Sequence, residues 1–246
     1  MCGRYANFRR DTEIASAFEV QEIVGDDLEP SWNVAPMDPV RAVLERAPRE
    51  DPGAAPARQL RTARWGLVPS WAKDPRSGAR LINARSETVT DKPSFAKAAA
   101  RRRCVVPAEG YYEWQKLAGG GKQPYFLHAK DTSRPLAFAG LYELWPDPSL
   151  SADDPERWRW TTTILTSPAA DALGHVHDRM PVVVPPAMVG DWLDPSTTDH
   201  STVRAMIRAM PEPALVPRPV GRAVGNVRND GPHLIEPVTP AGEPPG

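Results

Sequence analysis

The sequence predicts an α+β fold, in which a strongly curved antiparallel β-sheet forms a barrel-like core and short helices lie at its periphery. Three observations favour this class. Strand-like segments dominate the middle of the chain, helix-like segments are few and short, and proline makes up 29 of the 246 residues. Because proline breaks helix interiors, this content argues against a bundle of long helices.

Five strands are predicted from aromatic and apolar segments. Residues 110–116 (GYYEWQK) and 124–129 (PYFLHA) are typical of two aromatic-rich strands around a glycine-containing turn. Further strands are predicted over 135–144, 160–166 and 181–184, and the last of these is short and apolar. Many strands with few helices favour an antiparallel sheet or barrel.

The predicted helices are all short. They span 11–18, 95–103, 188–193 and 198–210. Asp11 and Ser94 stand at the start of the first two, where aspartate and serine are preferred N-cap residues.

Domain organisation is simple in this sequence. Residues 46–58 and 145–157 are rich in proline and charged residues, which predicts exposed loops. The segment 237–246 is predicted to be a flexible C-terminal tail. No linker-like segment divides the chain into two parts of different composition, so we expect one domain over 1–236.

Composition excludes two classes of protein. Lys and Arg total 30 and Asp and Glu total 31, so the formal net charge is −1 and a globally basic nucleic-acid coat protein is excluded. Hydrophobic residues make up 41% and charged residues 25% of the chain, which argues against intrinsic disorder.

Cysteine usage and hydropathy indicate a reducing compartment. Two cysteines are too few for a disulfide framework. The N-terminus lacks the apolar region of a secretory signal, and no apolar run approaches the roughly 18 residues of a membrane span. We therefore expect a cytoplasmic protein without membrane contact.

Positive charge is concentrated in one segment. Residues 61–103 contain eleven basic and three acidic residues, a balance of +8, and also Trp65 and Trp71. Cations interleaved with flat aromatic rings suit single-stranded nucleic acid, because phosphates need cations and unpaired bases stack. The alternative is structural, since arginines at 101–103 would stabilise the end of a helix without any ligand. Charge alone favours the structural alternative.

Cys2 is the most informative candidate for chemistry. Removal of the initiator methionine would leave an amine and a thiol on adjacent carbons. An α-amine titrates near pH 8 and a lysine near about 10.4, so the terminal amine has a usable neutral fraction at pH 7. A neutral amine attacks an aldehyde to give an imine, and the tethered thiol can then close a thiazolidine ring. The alternative is a small buried hydrophobe, which also describes Cys104.

Four further polar sites are candidates, each with a structural alternative. Glu113 lies within an aromatic strand, where a carboxylate is either an acid–base group or a solvent-facing residue. His175 and His177 suit proton transfer near pH 7, or are satisfied loop histidines. Asn83 and Arg85 could orient a reacting group and hold a phosphate, or serve a turn and the surface.

Metal, nucleotide and hydrolase motifs are missing from the sequence. The cysteines and histidines lack metal-ligand spacing, the glycines at 119–121 lack a phosphate-binding context, and no GxSxG motif is present. We therefore expect neither a metal nor a cofactor.

Eight short motifs occur in order along the chain. They are MCGRY (1–5), WNVAP (32–36), RWGLVPSW (64–71), INARSET (82–88), RCVVPAEGYYEW (103–114), LAFAGLY (136–142), HDRMP (177–181) and NVRND (226–230). Together they resemble the SRAP family (SOS response-associated peptidase-like), proteins that process abasic sites in DNA. The resemblance implies a curved antiparallel β architecture with short helices and one basic groove.

The resemblance also implies a mechanism. An abasic site in single-stranded DNA exposes an aldehyde, and Cys2 would form a thiazolidine crosslink that shields the lesion, a lyase-like reaction. Asn83 would position the amine or the opened sugar, and Glu113 would act as acid and base. His177 would assist imine formation and strand-cleavage or reversal chemistry. We expect a monomer that is nucleoid-associated when bound to DNA.

The resemblance further implies a DNA-binding set. Arginines would hold the phosphates that flank the lesion, and tryptophans with one proline would stack or wedge against bases. These residues are Arg4, Arg85, Arg179, Pro36, Trp65, Trp71 and Trp114.

Two other functions remain open at this point. The first is an N-terminal-nucleophile cysteine peptidase or amidohydrolase, in which Cys2 is the nucleophile and Glu113 and His177 carry protons. In one version of this hypothesis the peptidase cleaves only its own leader. The second is a passive reader of modified DNA bases, which would not need the Cys2 thiol.

Overall fold

The chain folds into a sheet-rich structure with few and short helices, which confirms the predicted α+β class. The computed structural model describes residues 2–48, 51, 53–117, 119–169 and 178–240. Within these ranges no helix is long and apolar enough to cross a membrane.

Thirteen strands are present in the described ranges. They are β1 (Tyr5–Asn7), β2 (Glu22–Val24), β3 (Ser31–Val34), β4 (Pro39–Arg46), β5 (Ala57–Trp65), β6 (Asn83–Arg85), β7 (Arg103–Ala108), β8 (Gly110–Lys116), β9 (Lys122–Ala129), β10 (Leu136–Pro146), β11 (Trp158–Pro168), β12 (Arg179–Pro181) and β13 (Leu215–Pro219). The α-helices in the same ranges are α1 (Asp11–Ala17), α2 (Ala96–Arg101), α3 (Val189–Leu193) and α4 (His200–Ala209).

Five strands close into a barrel. Antiparallel pairs join β5 to β4, β4 to β7, β7 to β10 and β10 to β11. A short parallel pairing of β5 with β11, with Arg64 opposite Thr161 and Trp65 opposite Thr162, completes the ring. Closure removes the free edges that an open sheet would expose over these residues. β2 adds to β5, and β6 and β12 add to β11.

A second sheet packs against one end of the barrel. Its strand order is β13, β9, β8, β1 and β3, and all of its pairs are antiparallel. Tyr5 and Tyr111 from this sheet share one buried cluster with Val106 and Phe138 from the barrel. The second sheet therefore covers this mouth of the barrel.

Side chains fill the barrel interior in two layers, as alternation along the strands requires. The layer near the second sheet contains Val40, Trp65, Val106, Phe138 and Ile164. The layer farther from it contains Ala42, Leu44, Cys104 and Tyr142. Gly140 lies among them, where a Cβ atom would come within 2.9 Å of the Cys104 Sγ. The barrel is thus a packed core without a channel through it.

The helices lie on the outside of the barrel, and Arg103 connects α2 and α3 to β7. α2 ends at Arg101 instead of continuing to 103 as predicted, because Arg103 begins β7 and is buried. Its guanidinium donates to the carbonyl oxygens of Ala99, Trp192 and Thr197. A buried cation therefore stabilises the carbonyl end of α2, and Arg103 has no role at the surface.

Both predicted helix caps are wrong. Asp11 is the first helical residue of α1, and its carboxylate accepts a hydrogen bond from Arg41 Nε at 2.7 Å instead of capping the helix. Phe95, and not Ser94, occupies the cap position of α2 and makes no side-chain cap bond. In both cases tertiary contacts outweigh the local preference for a capping side chain.

Boundaries of the predicted strands differ at their ends. β8 matches its predicted range, β9 and β11 are two and four residues longer than predicted, and β10 begins one residue later and ends two residues later than predicted. The predicted strand 181–184 is β12, which ends at Pro181, followed by an isolated bridge between Val183 and Phe138. The predicted tail begins with Pro237, which forms a bridge with Val220, and its residues 241–246 lie outside the described ranges.

Gly110 provides a test of the close packing between β8 and β9. A Cβ atom at Gly110 would lie 2.5 Å from the Leu127 carbonyl oxygen and 2.6 Å from the Phe126 ring. We expect Gly110→Ala to lower the free energy of unfolding by about 1–3 kcal/mol, because backbone atoms must move. Urea denaturation measures this effect.

The matched control is Gly221→Ala, since Gly221 has a φ of −65° and open space around it. Equal urea midpoints for the two variants would contradict the proposed close contact at Gly110.

Candidate active site

Backbone pairing brings Cys2 next to Glu113. β1 follows Cys2 closely and pairs antiparallel with β8, with Tyr5 opposite Tyr111. The Tyr112 amide donates to the Arg4 carbonyl oxygen at 2.9 Å, which continues this register toward the chain start. In this register Glu113 lies across from the residue after Cys2. The strand pair thus positions the thiol and the carboxylate together.

Cys2 is fully buried at the covered mouth of the barrel. Its neighbours in the apolar cluster include Trp65, Phe138 and Ile164. Burial raises the pKa of the Cys2 thiol far above its usual value, and the negative charge of Glu113 raises it further. The thiol is therefore neutral at physiological pH.

Asn83 holds the Cys2 backbone. β6 pairs parallel with β11, which places Asn83 opposite Ile164. Its Nδ2 donates to the Cys2 carbonyl oxygen at 2.8 Å. The Asn83 Oδ1 is buried and accepts no hydrogen bond from the described residues. Because a buried acceptor without a partner is costly, this oxygen is ready to accept a bond from a ligand.

Glu113 is poised to exchange a proton. The side chain is 5% exposed, and burial raises its pKa to about 7. The negative charge of Asp178 acts in the same direction. At neutral pH the carboxyl group is therefore present in both protonation states, as a general acid–base group requires. Asp178 directly follows the predicted His177 and was not identified from the sequence.

His175 and His177 lie outside the described residues. The proton-transfer role of His177 stays a prediction.

The predicted phosphate-binding arginines have different surroundings. Arg4 is buried, and its Nη1 donates to Asn33 Oδ1 at 2.7 Å and to the Val224 carbonyl oxygen at 2.8 Å. Its guanidinium also lies 5.9 Å from the centre of the Trp114 ring. Arg85, at the end of β6, is exposed. Arg4 thus supports the site, whereas Arg85 is open to solvent.

Arg179 is paired with a surface carboxylate. Its Nη2 lies 3.0 Å from Glu87 Oε2, and its Nη1 contacts the other carboxylate oxygen. The hydrogen bonds from Arg179 lower the pKa of Glu87 to about 2. Glu87 therefore stays ionised at physiological pH, and a phosphate approaching Arg179 would compete with it.

The residues predicted to stack or wedge against bases differ in their solvent exposure. Trp65 is fully buried in the barrel, and its Nε1 donates to the Ile82 carbonyl oxygen at 2.9 Å. This burial corrects the predicted stacking role of Trp65, because no base can reach the ring. Trp71 is 66% exposed. Trp114 and Pro36 are half-buried.

Asn33, which accepts a hydrogen bond from Arg4, and its neighbour Trp32 were not singled out by the sequence analysis. The Asn33 Nδ2 donates to the carbonyl oxygens of Asn226 and Asn229, at 3.0 and 2.6 Å. Trp32 is half-buried and stacks on Phe8, with ring centres 5.2 Å apart. The sequence feature that could have identified them is the motif WNVAP, which contains both residues. In the structure this motif contacts the distant motif NVRND.

Among the described residues, no group of three or more His, Cys, Asp or Glu side chains could hold a metal ion.

Comparison with known proteins identifies the family. The sequence model of the family described as SOS response associated peptidase (SRAP) matches residues 1–227. The chain belongs to this family. The assignment confirms the resemblance carried by the eight motifs.

Several relatives of this SRAP chain are similar over most of its length. It is 33% identical to the abasic site processing protein YoqW of Bacillus subtilis, across 96% of this chain and 99% of the relative. It is 32% identical to the abasic site processing protein YedK of Escherichia coli, across 97% and 100%. It is also 32% identical to the abasic site processing protein HMCES of Gallus gallus, across 85% and 66%.

Solved structures share the same fold. A protein from Bacteroides thetaiotaomicron superposes with a TM-score of 0.78 at 20% identity, over 97% of this SRAP chain and all of that chain. A phage-related protein from Bordetella bronchiseptica superposes with a TM-score of 0.63 at 29% identity, over 89% and 94%.

The raised pKa of Glu113 predicts a pH-dependent stability. Burial moves this pKa from 4.5 to about 7, so the folded protein holds the proton more tightly than the unfolded chain. The resulting loss of stability is absent below about pH 4.5 and complete above about pH 7. The unfolding free energy of Glu113→Gln, relative to wild type, should therefore rise by up to about 3 kcal/mol across this window.

Chemical denaturation at several pH values measures the effect, and exposed Glu156→Gln is the control. If the pH profiles of Glu113→Gln and wild type are parallel, Glu113 does not titrate in this window.

Proposed function

We propose that this SRAP protein captures abasic sites in single-stranded DNA through a covalent thiazolidine link to Cys2. The observation that carries the proposal is the position of Cys2 beside Glu113, with the Cys2 backbone held by Asn83. Relatives of similar length that are named abasic site processing proteins support abasic DNA as the substrate.

The capture is a two-step condensation. The ring-opened sugar presents an aldehyde carbon, which the amine of Cys2 attacks once the preceding methionine has been removed. Loss of one water molecule gives an imine. The sulfur then adds to the same carbon while the thiol proton passes to the imine nitrogen. One C–N and one C–S bond form, and the five-membered ring closes quickly because the thiol is tethered.

Proton transfers are assigned to Glu113. In its neutral form the carboxyl group protonates the hydroxyl that leaves as water. In its ionised form it accepts the proton of the Cys2 thiol and passes it on to the imine nitrogen. A pKa of about 7 makes both forms available at neutral pH. The buried Oδ1 of Asn83 is suited to accept a hydrogen bond from the Cys2 amine or from a sugar hydroxyl. His177 is proposed to assist imine formation and the reversal chemistry.

Binding of the strand is assigned to Arg85 and Trp71, which are exposed, and to Arg179, which is half-buried. Arg85 and Arg179 are proposed to hold phosphates, and Trp71 to stack a base. Arg4 is proposed to act indirectly. Its guanidinium packs against the ring of Trp114 and holds that ring in position at the site.

Burial of Cys2 favours this chemistry over a cysteine peptidase. A peptidase needs a thiolate nucleophile, and reactive thiolates have lowered pKa values. The pKa of the Cys2 thiol is raised instead. Amine attack followed by addition of the neutral thiol does not require a thiolate at the start. Hydrolysis of a peptide in the absence of DNA would favour the peptidase.

Crosslinking to an abasic oligonucleotide tests the proposal. Protein whose N-terminal mass shows a free Cys2 should give a heat-stable adduct on a denaturing gel. Intact mass should show the oligonucleotide joined with loss of one water. Cys2→Ala should give no thiazolidine adduct, and Cys2→Ser should reduce the yield of stable adduct by more than about tenfold, because the imine remains hydrolysable.

Cys104→Ala is the matched control, since Cys104 is also fully buried, and it should crosslink like wild type. A protein with a residue added before Cys2 should not react, because an amide nitrogen is not nucleophilic. A stable adduct formed by Cys2→Ala or by the extended protein would refute the proposed chemistry.

Removing the carboxylate that pairs with Arg179 should tighten DNA binding. In Glu87→Gln the guanidinium no longer bonds the charged Glu87 carboxylate, so a phosphate meets less competition from this side chain. We expect the Kd for single-stranded DNA to fall about two- to fivefold at fixed salt. Fluorescence anisotropy measures this change.

Asp91→Asn is the control, because Asp91 pairs with Arg204 and its replacement changes the net charge equally. Weaker binding by Glu87→Gln would show that Glu87 positions Arg179 and does not compete with DNA.

A further inference from the structure

The mouth of the barrel opposite the second sheet is an open cavity. It has a volume of about 590 Å3, within the usual range of small-molecule sites. Its lining includes Arg46, Arg61, Trp158 and Trp160. We call this cavity the far mouth.

The far mouth is separate from the Cys2 site. Ile164 packs in the Cys2 cluster, and Trp160 lies four residues earlier on β11, on the same face of the strand. This spacing corresponds to about 13 Å along the strand. The packed layer that contains Cys104 and Tyr142 lies between them. A ligand in the far mouth would therefore not contact the reacting groups at Cys2.

Two arginines converge on one ring in the far mouth. The Arg61 guanidinium carbon lies 4.5 Å from the centre of the Trp160 ring, and that of Arg46 lies 5.4 Å from it. Burial lowers the pKa of Arg61, and the positive charge of Arg46 lowers it further. Two like charges held this close repel each other, and a bound anion would relieve the repulsion.

Neither arginine is neutralised by a close carboxylate among the described residues. Three nearby arginines do have such partners: Arg58 pairs with Glu45, Arg102 with Glu143, and Arg159 with Asp147.

The acidic residue in the cavity lining, Glu22, is linked to Arg61 through the neutral side chain of Gln59. Glu22 accepts a hydrogen bond from Gln59 Nε2 at 2.6 Å. The Gln59 Oε1 in turn accepts from Arg61 Nε at 2.7 Å, which orients the guanidinium. The remaining guanidinium nitrogens of Arg61, and those of Arg46, are the groups suited to an incoming anion.

An aromatic surface lies beside these cations. Trp160 stacks on Tyr142, with ring centres 5.4 Å apart, and is half-buried. Trp158, two residues earlier on the same face of β11, is 42% exposed. A large exposed indole next to two cations matches a ligand that carries both a flat ring and a negative charge.

We propose that the far mouth binds a nucleotide, with Arg46 and Arg61 holding the phosphate and Trp158 stacking on the base. The nucleotide is either free in solution or part of a DNA strand that passes over this end of the barrel. Both sources present the same phosphate and base. The site does not depend on the Cys2 chemistry, and binding to it is measurable without crosslinking.

The test uses the full chain carrying Cys2→Ala, so that covalent capture cannot contribute. Calorimetry at fixed salt measures binding of deoxyadenosine monophosphate, inorganic phosphate, and short and long single-stranded oligonucleotides without an abasic site. Arg46→Gln and Arg61→Gln should each weaken binding of the monophosphate about tenfold, because each removes a charge-assisted hydrogen bond. Trp158→Ala should weaken binding of the monophosphate but not of phosphate.

Arg101→Gln is the matched control, since Arg101 is an exposed arginine at the end of α2 and does not line the far mouth. If only the long oligonucleotide binds tightly, and Arg61→Gln removes that advantage, the nucleotide belongs to a DNA strand. If Arg46→Gln and Arg61→Gln bind every probe like Arg101→Gln, the proposal is wrong.

The same arginine variants with Cys2 intact should still crosslink a short abasic oligonucleotide, which verifies their fold. Loss of crosslinking in wild type would contradict the function proposed above and leave the far-mouth measurement unaffected.

Discussion

The antiparallel pairing of β1 with β8 connects the start of the chain to the centre of the fold. Chain termini are usually loosely held, yet here Tyr5 and Tyr111 pair in a sheet that packs on the barrel. Through this pairing Cys2 enters an apolar cluster and Glu113 arrives beside it. The burial of the thiol, the raised pKa of the carboxyl group and the hydrogen bond from Asn83 all depend on this one register.

Burial at this position has two opposite effects on chemistry. It keeps the Cys2 thiol protonated and so limits its reaction with other electrophiles. It also raises the pKa of Glu113 to about 7, where proton exchange is fast in both directions. A site of this kind stays unreactive until a carbonyl group is placed within it. Selectivity then depends on which molecules can reach the mouth of the barrel.

Local sequence patterns predicted the central strands and the short helices, and the aromatic segment around Glu113 marked this carboxylate as a candidate acid–base group without deciding whether it is buried. They did not predict β1 to β6, because these strands are short or pair with distant residues. Closure of the barrel depends on a parallel contact between Arg64 and Thr161, which no local periodicity reports. The burial of Trp65 and Arg103 likewise follows from tertiary packing, which neither the charge balance of residues 61–103 nor the family motifs report.

Asn33 and Arg4 join the two ends of the molecule. Asn33 binds the carbonyl oxygens of Asn226 and Asn229, and Arg4 bonds both Asn33 and the carbonyl oxygen of Val224. These hydrogen bonds therefore cannot all form in a nascent chain until residue 229 has emerged from the ribosome. Until then Arg4 and Asn33 lack their carbonyl partners, so the packing around the start of the chain is completed only after the segment 224–229 has been synthesised.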